Sequence, residues 1–353
     1  MVLYDYGNTR LRARISGLFS LAELEIFSEL KSIDNLISRL SKTHYKKSIE
    51  IALTHAHDYG CIVEALRREL MDIHGNLKTF YDEEIWKKLR LIFLRIDLQN
   101  VKAIIRGVSH KIPVNDIIAS LSPLGTISTA MLTQIAKSKD IVDAIDAITV
   151  YKLEFADELF SIKGMEQPYG ASEIERIIET WYYNQSARLL SGKDSNTILV
   201  REMNAIETDI VNLNITLRYV NTPDSPELEN HPIDYYLIQG GSLPPELLVS
   251  ISSAGNVEDA VKRLVNERYH EPLLRAIGLF HENGLLSNFE RELRLYALKW
   301  MGKLPKQNPF GIGVPIGYTA LKKSEIRNIR WIAKGISSGF TPDFIKENFE
   351  RIR

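Results

Sequence analysis

A ten-residue phrase late in the chain, Glu325-Ile326-Arg327-Asn328-Ile329-Arg330-Trp331-Ile332-Ala333-Lys334, has three earlier relatives with an acid, an asparagine and a base at matching offsets. Asp97, Asn100, Lys102 and Arg106 form one copy, Asp209, Asn212 and Arg218 another, and Asp5, Asn8, Arg10 and Arg14 a looser opening copy. The pattern is an acid, Asn three residues on, usually a base at five and always a base at nine. The copies start 92 (97 − 5), 112 (209 − 97) and 116 (325 − 209) residues apart. A repeat of this period is an architectural statement before it is a chemical one. It predicts three units of comparable length, 1–112, 113–222 and 223–353, closed by the fourth copy.

A second set of phrases supports the same division. Gly125, Ile127, Leu132, Ile135, Ile141, Asp143, Ala144 and Ile145 match Gly241, Leu243, Leu248, Ile251, Val257, Asp259, Ala260 and Val261, every pair 116 residues apart. The first unit joins through Ile33 to Leu40 followed by Tyr45, which parallels Val257 to Leu264 followed by Tyr269. Apolar residues at threes and fours predict helices from Tyr45 to about His74, with Gly75 as a C-cap, and from Glu83 to Arg106, a long hairpin ending at Gly107. The span Ile233 to Ile238 is short and lacks a partner run, so no strand is expected. Leu304 to Tyr318 reads as the longest irregular region. The fold class predicted is all-α.

The acid and the asparagine three residues later share one helix face, about a turn apart, and can bond each other or a neighbouring helix. A catalytic constellation is normally built once per active site, whereas this one recurs in every unit. Asn8, Asp97, Asn100, Asp209, Asn212, Glu325 and Asn328 are therefore expected to be structural ties, with the bases at five and nine either capping that network or facing a partner. Other chemistry finds little support. His55 and His57 are two apart and point to opposite sides of a helix, unlike zinc ligands. Gly311 to Gly317 carries Ile316 where a dinucleotide loop needs glycine, and Pro315 removes a backbone donor. Neither Gly192-Lys193 nor Gly302-Lys303 has the context of a phosphate loop. Cys61, the single cysteine, lies in an apolar stripe. The residues argue against an enzyme, and no cofactor, metal or small-molecule substrate is expected.

Forty-four basic residues against forty-five acidic ones exclude a binder that relies on excess positive charge, so no nucleic-acid partner is expected. Arg10, Arg12 and Arg14 stand where a secretory signal needs its apolar run, and no stretch reaches the roughly 18 to 20 apolar residues that span a bilayer. Any membrane role is expected to be peripheral.

The stretch from Asn308 to Phe349, beginning Asn-Pro-Phe-Gly-Ile-Gly-Val-Pro-Ile-Gly-Tyr-Thr-Ala-Leu-Lys-Lys-Ser-Glu-Ile-Arg-Asn-Ile-Arg-Trp, resembles the closing signature of the C subunit of the A-type and V-type ATPases, known as d in eukaryotic complexes. Tyr4 with Asn8, Arg10 and Arg12, then Asp97-x-x-Asn100-x-Lys102 with Arg106-Gly107, and Pro123-x-Gly125 extend the resemblance along the chain in order, closer to the archaeal and bacterial members. Asn214 departs from it where the other copies carry Lys or Arg. The resemblance implies a funnel-like, all-helical protein of three pseudo-symmetric domains. It further implies a non-catalytic rotor part on the cytoplasmic side of the membrane, a socket between the central stalk and the proteolipid ring. On that reading Arg10, Arg12, Lys102, Arg106, Arg218 and Arg330 are expected to meet an acidic partner surface. The alternatives are a free-standing helical-repeat scaffold and an enzyme using the His55 and His57 region.

Overall fold

The computed structural model describes residues 4–161, 170–221 and 231–352, and among them every regular element is a helix. The chain forms two compact units: residues 1–89 with 298–353, and residues 90–297. The boundaries fall inside the helices Glu83–Ser109 and Ser287–Gln307.

The first unit joins early and late parts of the chain around the helix Gly313–Ser338, which packs against Asp5–Ser16, Leu21–Ser28 and Tyr59–Phe80. Residues 311–322 are buried without exception. A helix start enclosed on all sides belongs to a core, not to a surface stripe. In the second unit the corresponding place is taken by Ser195–Asn221, which packs against Ala171–Leu189, Ile233–Tyr236, Pro245–Ser252 and Val257–Lys262.

Short helices follow the turns and are fixed by polar caps at corresponding positions. Ser20 and Ser128 begin Leu21–Ser28 and Thr129–Ala136, each accepting from the backbone three residues on. Ser32, Asp140 and Asn256 do the same for Ile33–Leu40, Ile141–Val150 and Val257–Lys262. Such caps satisfy amide groups that the first turn leaves without helical partners.

Several sequence expectations are corrected. The span Tyr45 to His74 is two helices, Lys46–Ala52 and Tyr59–Phe80. The first ends where the Thr54 hydroxyl bonds the Ile51 carbonyl, and Asp58 caps the second through the Gly60 N–H. Gly75 caps nothing; it lies inside Tyr59–Phe80. Glu83–Ser109 runs past Gly107, whose added Cβ would lie 2.5 Å from Ile117. Gly335, at the matching place in Gly313–Ser338, would meet Ile345 at 2.5 Å. Both glycines therefore admit an isoleucine against the helix. Ile233–Tyr236, where no strand is expected, is indeed none but a short helix. Leu304 to Tyr318 is largely helical, with only residues 308–312 connecting Ser287–Gln307 to Gly313–Ser338. Pro315 is tolerated because it sits in a first turn, where no N–H is needed. Gly317 provides the crossing point: a Cβ there would lie 2.2 Å from Pro305 Cδ.

Candidate functional site: buried acid and amide ties

Three of the four asparagines grip the chain in the same way. Asn100 donates through Nδ2 to the Ser122 carbonyl and accepts the Ser122 N–H at Oδ1, both at 2.8 Å. Asn212 makes the same two bonds to Ile238, both at 2.8 Å. Asn328 grips Glu350, donating to its carbonyl at 3.1 Å and accepting its N–H at 2.8 Å. A primary amide carries a donor and an acceptor side by side, so it can hold the N–H and C=O of one residue as a paired strand would. No carboxylate or hydroxyl offers that pairing with both groups fixed.

The acid one turn earlier accepts from the residue just before the N-cap of the next short helix. Asp97 takes the Ile127 N–H at 3.0 Å, together with the Thr126 N–H at 2.9 Å and hydroxyl at 2.6 Å. Asp209 takes the Leu243 N–H at 3.0 Å, the Ser242 hydroxyl, and the Tyr269 hydroxyl at 2.7 Å. Glu325 takes the Phe19 N–H at 2.6 Å and the Tyr45 hydroxyl at 2.7 Å, with His44 Nε2 at 3.2 Å and Lys322 Nζ at 3.0 Å. Gly125 and Gly241 are required here, since a Cβ would lie 2.0 and 2.2 Å from the Asp97 and Asp209 oxygens.

Partners grade the electrostatics of the acids. Burial raises the Asp97 carboxyl above its ordinary range, and the bonds from Thr126 and Ile127 offset only part of that. Burial opposes the Glu325 charge too, but His44, Lys322 and Tyr45 outweigh it and hold the carboxyl at about 2. Lys322 also faces Glu69 at 3.1 Å and lies 3.9 Å from the centre of the Tyr45 ring. Tyr45 and Tyr269 thus do the same work at corresponding places, which their parallel positions in the repeat foreshadow.

In the last copy the gripped segment is divided. Ser122 and Ile127, or Ile238 and Leu243, belong to one continuous turn, whereas Asn328 holds Glu350 and Glu325 holds Phe19. The first copy differs again. Asp5 is exposed, and Asn8 donates to the Gly311 carbonyl at 3.1 Å while accepting the Tyr81 hydroxyl at 2.7 Å.

The bases separate into two groups. Lys102 bonds Glu179 within a buried cluster that also holds Arg95, which pairs with Glu179 and approaches Glu207 at 3.2 Å. Burial works against the Glu179 charge, but Arg95 and Lys102 outweigh it and hold its carboxyl at about 2. Arg106 is paired with Glu175, and Arg218 lies 4.0 Å from Glu290. Arg330 is half-buried, with an Nε that has no hydrogen-bond partner among the described residues. Arg10 and Arg12 are exposed. Glu179 and Lys322 were invisible as site residues in the sequence, although Glu179 sits beside the buried Ile178 and Lys322 stands one turn before Glu325. His55 and His57 lie in the connection before Tyr59–Phe80, and no metal-holding cluster of three or more His, Cys, Asp or Glu occurs among the described residues.

The sequence profile of the family described as ATP synthase (C/AC39) subunit matches residues 7–348. The chain belongs to that family. Relatives of this C/AC39 chain include the A-type ATP synthase C subunit of Methanocaldococcus jannaschii, 25% identical over 347 residues that span 97% of this chain and 85% of that protein. The A-type ATP synthase C subunit of Pyrococcus abyssi is 24% identical, covering 98% and 89%. The one from Haloquadratum walsbyi is 24% identical, covering 98% and 97%. A C/AC39 chain is a non-catalytic structural subunit of an ATP synthase, and a site made of internal ties accords with that. Among the described residues of this C/AC39 chain no helix is long and apolar enough to cross a membrane.

Proposed function

We propose that this chain is the rotor subunit that sits on the cytoplasmic side of the membrane as a socket, joining the central stalk to the proteolipid ring. Rotation in either sector then reaches the other, linking ATP turnover to proton or sodium transport. The observation that carries the reading is the family match along residues 7–348, with relatives spanned nearly end to end. The geometry supports it physically. A part that transmits torque must not let its helices slide, and short directional bonds to buried carboxylates and amides resist sliding better than apolar contact alone, because they fix register. We further propose that the repeat units 1–112, 113–222 and 223–353 are the domains of this socket, and that its partner contacts include the exposed bases Arg10 and Arg12.

The test is a binding experiment with the purified chain. It is expected to show no ATPase activity, and to retain both the isolated stalk subunits and the detergent-solubilised ring. Recovery with neither overturns the proposal and leaves a free-standing helical scaffold as the better reading.

A further inference from the structure

We propose that the corner between the helices Leu21–Ser28 and Ile33–Leu40 is a binding site for a small aromatic monocarboxylate. A recess of about 250 Å³ opens there, within the first unit. It is lined by the buried rings of Phe19 and Phe27 and by the exposed side chains of Ile26, Arg39, Lys42 and Glu23. The two rings meet edge to face at 4.9 Å.

The repeat supplies a comparison inside the molecule. Ile33 to Leu40 parallels Val257 to Leu264, so Arg39 corresponds to Arg263, and by the same offset Ile26 and Glu29 correspond to Ser250 and Ser253. In the second unit Arg263 folds back over the end of the helix Pro245–Ser252, bonding the Ser250 carbonyl and, at 3.0 Å, the Ser253 hydroxyl. The first copy lacks this closure. Ile26 and Glu29 have no hydroxyl to offer, and the Glu29 carboxylate is engaged by Lys346 at 2.8 Å. Arg39 and Lys42 accordingly make no hydrogen bond or ion pair among the described residues. At the middle copy the same places hold Ala147 and Val150, which carry no charge. Of the three corners, only the first sets two unengaged cations beside an aromatic recess.

Charge, volume and lining select the ligand. Arg39 and Lys42 against Glu23 leave the lining with one net positive charge, which matches a carboxylate and not a phosphate dianion. Glu23 is held there by accepting the Ser20 N–H at 2.7 Å and hydroxyl at 2.8 Å. A recess of about 250 Å³ equals the space of roughly eight waters, enough for one ring on a short stem and too little for a helix or an acyl chain. Buried aromatic faces favour a flat apolar body, and a planar guanidinium suits two-point bonding to a carboxylate. The Thr43 hydroxyl, also in the lining, already donates to the Leu40 carbonyl at 2.6 Å, so the corner holds a ligand without a free nucleophile to transform it. Occupancy is coupled to the Glu325 tie. Phe19 donates its N–H to that carboxylate, and Thr43 is followed by His44 and Tyr45, which bond it too. An occupant therefore stabilises the first unit by mass action.

The site stands whether or not the rotor reading does, and its test uses the full chain alone. Phenylacetate is titrated by calorimetry, with melting followed by circular dichroism, beside the neutral phenylacetamide, the dianion phenyl phosphate and anionic lipid vesicles. Phenylacetate is expected to bind and to raise the melting temperature. The double variant R39A/K42A is expected to weaken it by about tenfold or more, while Arg263→Ala, at the corresponding corner, leaves its affinity unchanged. Wild type that does not bind phenylacetate overturns the proposal. So does equal or tighter binding of phenylacetamide or phenyl phosphate, undiminished affinity in R39A/K42A, or an equal loss in Arg263→Ala. Binding confined to vesicles overturns it in favour of a lipid contact. If R39A/K42A does not fold, Ile26→Trp, which fills the recess from an exposed position, is expected to abolish phenylacetate binding without lowering the melting temperature, and an unchanged affinity refutes the site.

Discussion

Replacing Glu325 by Gln isolates the charge of the most strongly partnered tie. The carboxylate is surrounded by the Phe19 N–H, the Tyr45 hydroxyl, His44 and Lys322. A glutamine offers one acceptor end and one donor end, so its amide nitrogen must face either the Phe19 N–H or the Tyr45 and Lys322 side. The magnitude follows from the carboxyl itself. Its ordinary value is 4.5 and in the fold it is held at about 2, a gap of about two and a half pH units that corresponds to roughly 3 kcal/mol of stability. Because the folded value is the lower one, protons bind the unfolded chain more tightly. The contribution is therefore complete above about pH 4.5 and disappears as pH falls toward about 2. Urea unfolding followed by circular dichroism is expected to show Glu325→Gln less stable than wild type by about 3 kcal/mol near neutral pH, with the difference shrinking once the pH falls below about 4. Asp97→Asn is expected to cost less, since burial already pushes that carboxyl upward. A Glu325→Gln variant within about 0.5 kcal/mol of wild type at neutral pH refutes the reasoning. So does a deficit of the same size at both pH values.

Three further outcomes test the remaining ties. Asn212→Ala and Asn328→Ala each remove two buried backbone bonds and are expected to cost about 2 to 4 kcal/mol in the same unfolding assay, with Asn328→Ala the milder because Ser324 keeps a 3.4 Å contact to the Glu350 carbonyl. Gly241→Ala drives a methyl into Asp209 and is expected to lower the melting temperature by several degrees. Gly255→Ala, with no atom within 4 Å of the added carbon, serves as its near-neutral control. Glu179→Ala leaves the buried Arg95 and Lys102 without their shared carboxylate and is expected to cost about 3 to 5 kcal/mol, seen as a lowered urea midpoint.

Sequence periodicity carried the helical class and located the ties, because acid, asparagine and glycine recur at offsets that survive the variation between copies. It failed wherever local pattern met a tertiary demand. Apolar spacing continues straight through Thr54 to Asp58, yet a hydroxyl and a carboxylate there bond backbone groups and end one helix to begin another. Gly313, Pro315 and Gly317 look like breakers, but Pro315 sits in a first turn and the two glycines admit the close approach of Leu304 and Pro305, a reason that lies outside the segment itself. Lys102 resembles a free base at a motif position, while the carboxylate that engages it is 77 residues away. The opening copy shows the opposite error: Asp5 matches the pattern but is exposed, so only Asn8 serves as a tie there.

The divided segment of the last copy also sets a timetable. Phe19 and Tyr45 leave the ribosome early, whereas Glu325 and Glu350 emerge after the whole of the second unit has been made. At about 5 to 20 residues per second, the interval from Leu89 to Glu325 is roughly ten to fifty seconds. During it the apolar faces that will enclose residues 311–322 have no native cover, while the second unit, continuous in sequence, can meet its own partners as it is made. The newborn chain is therefore most vulnerable to aggregation at its beginning and becomes secure only when its last helices arrive.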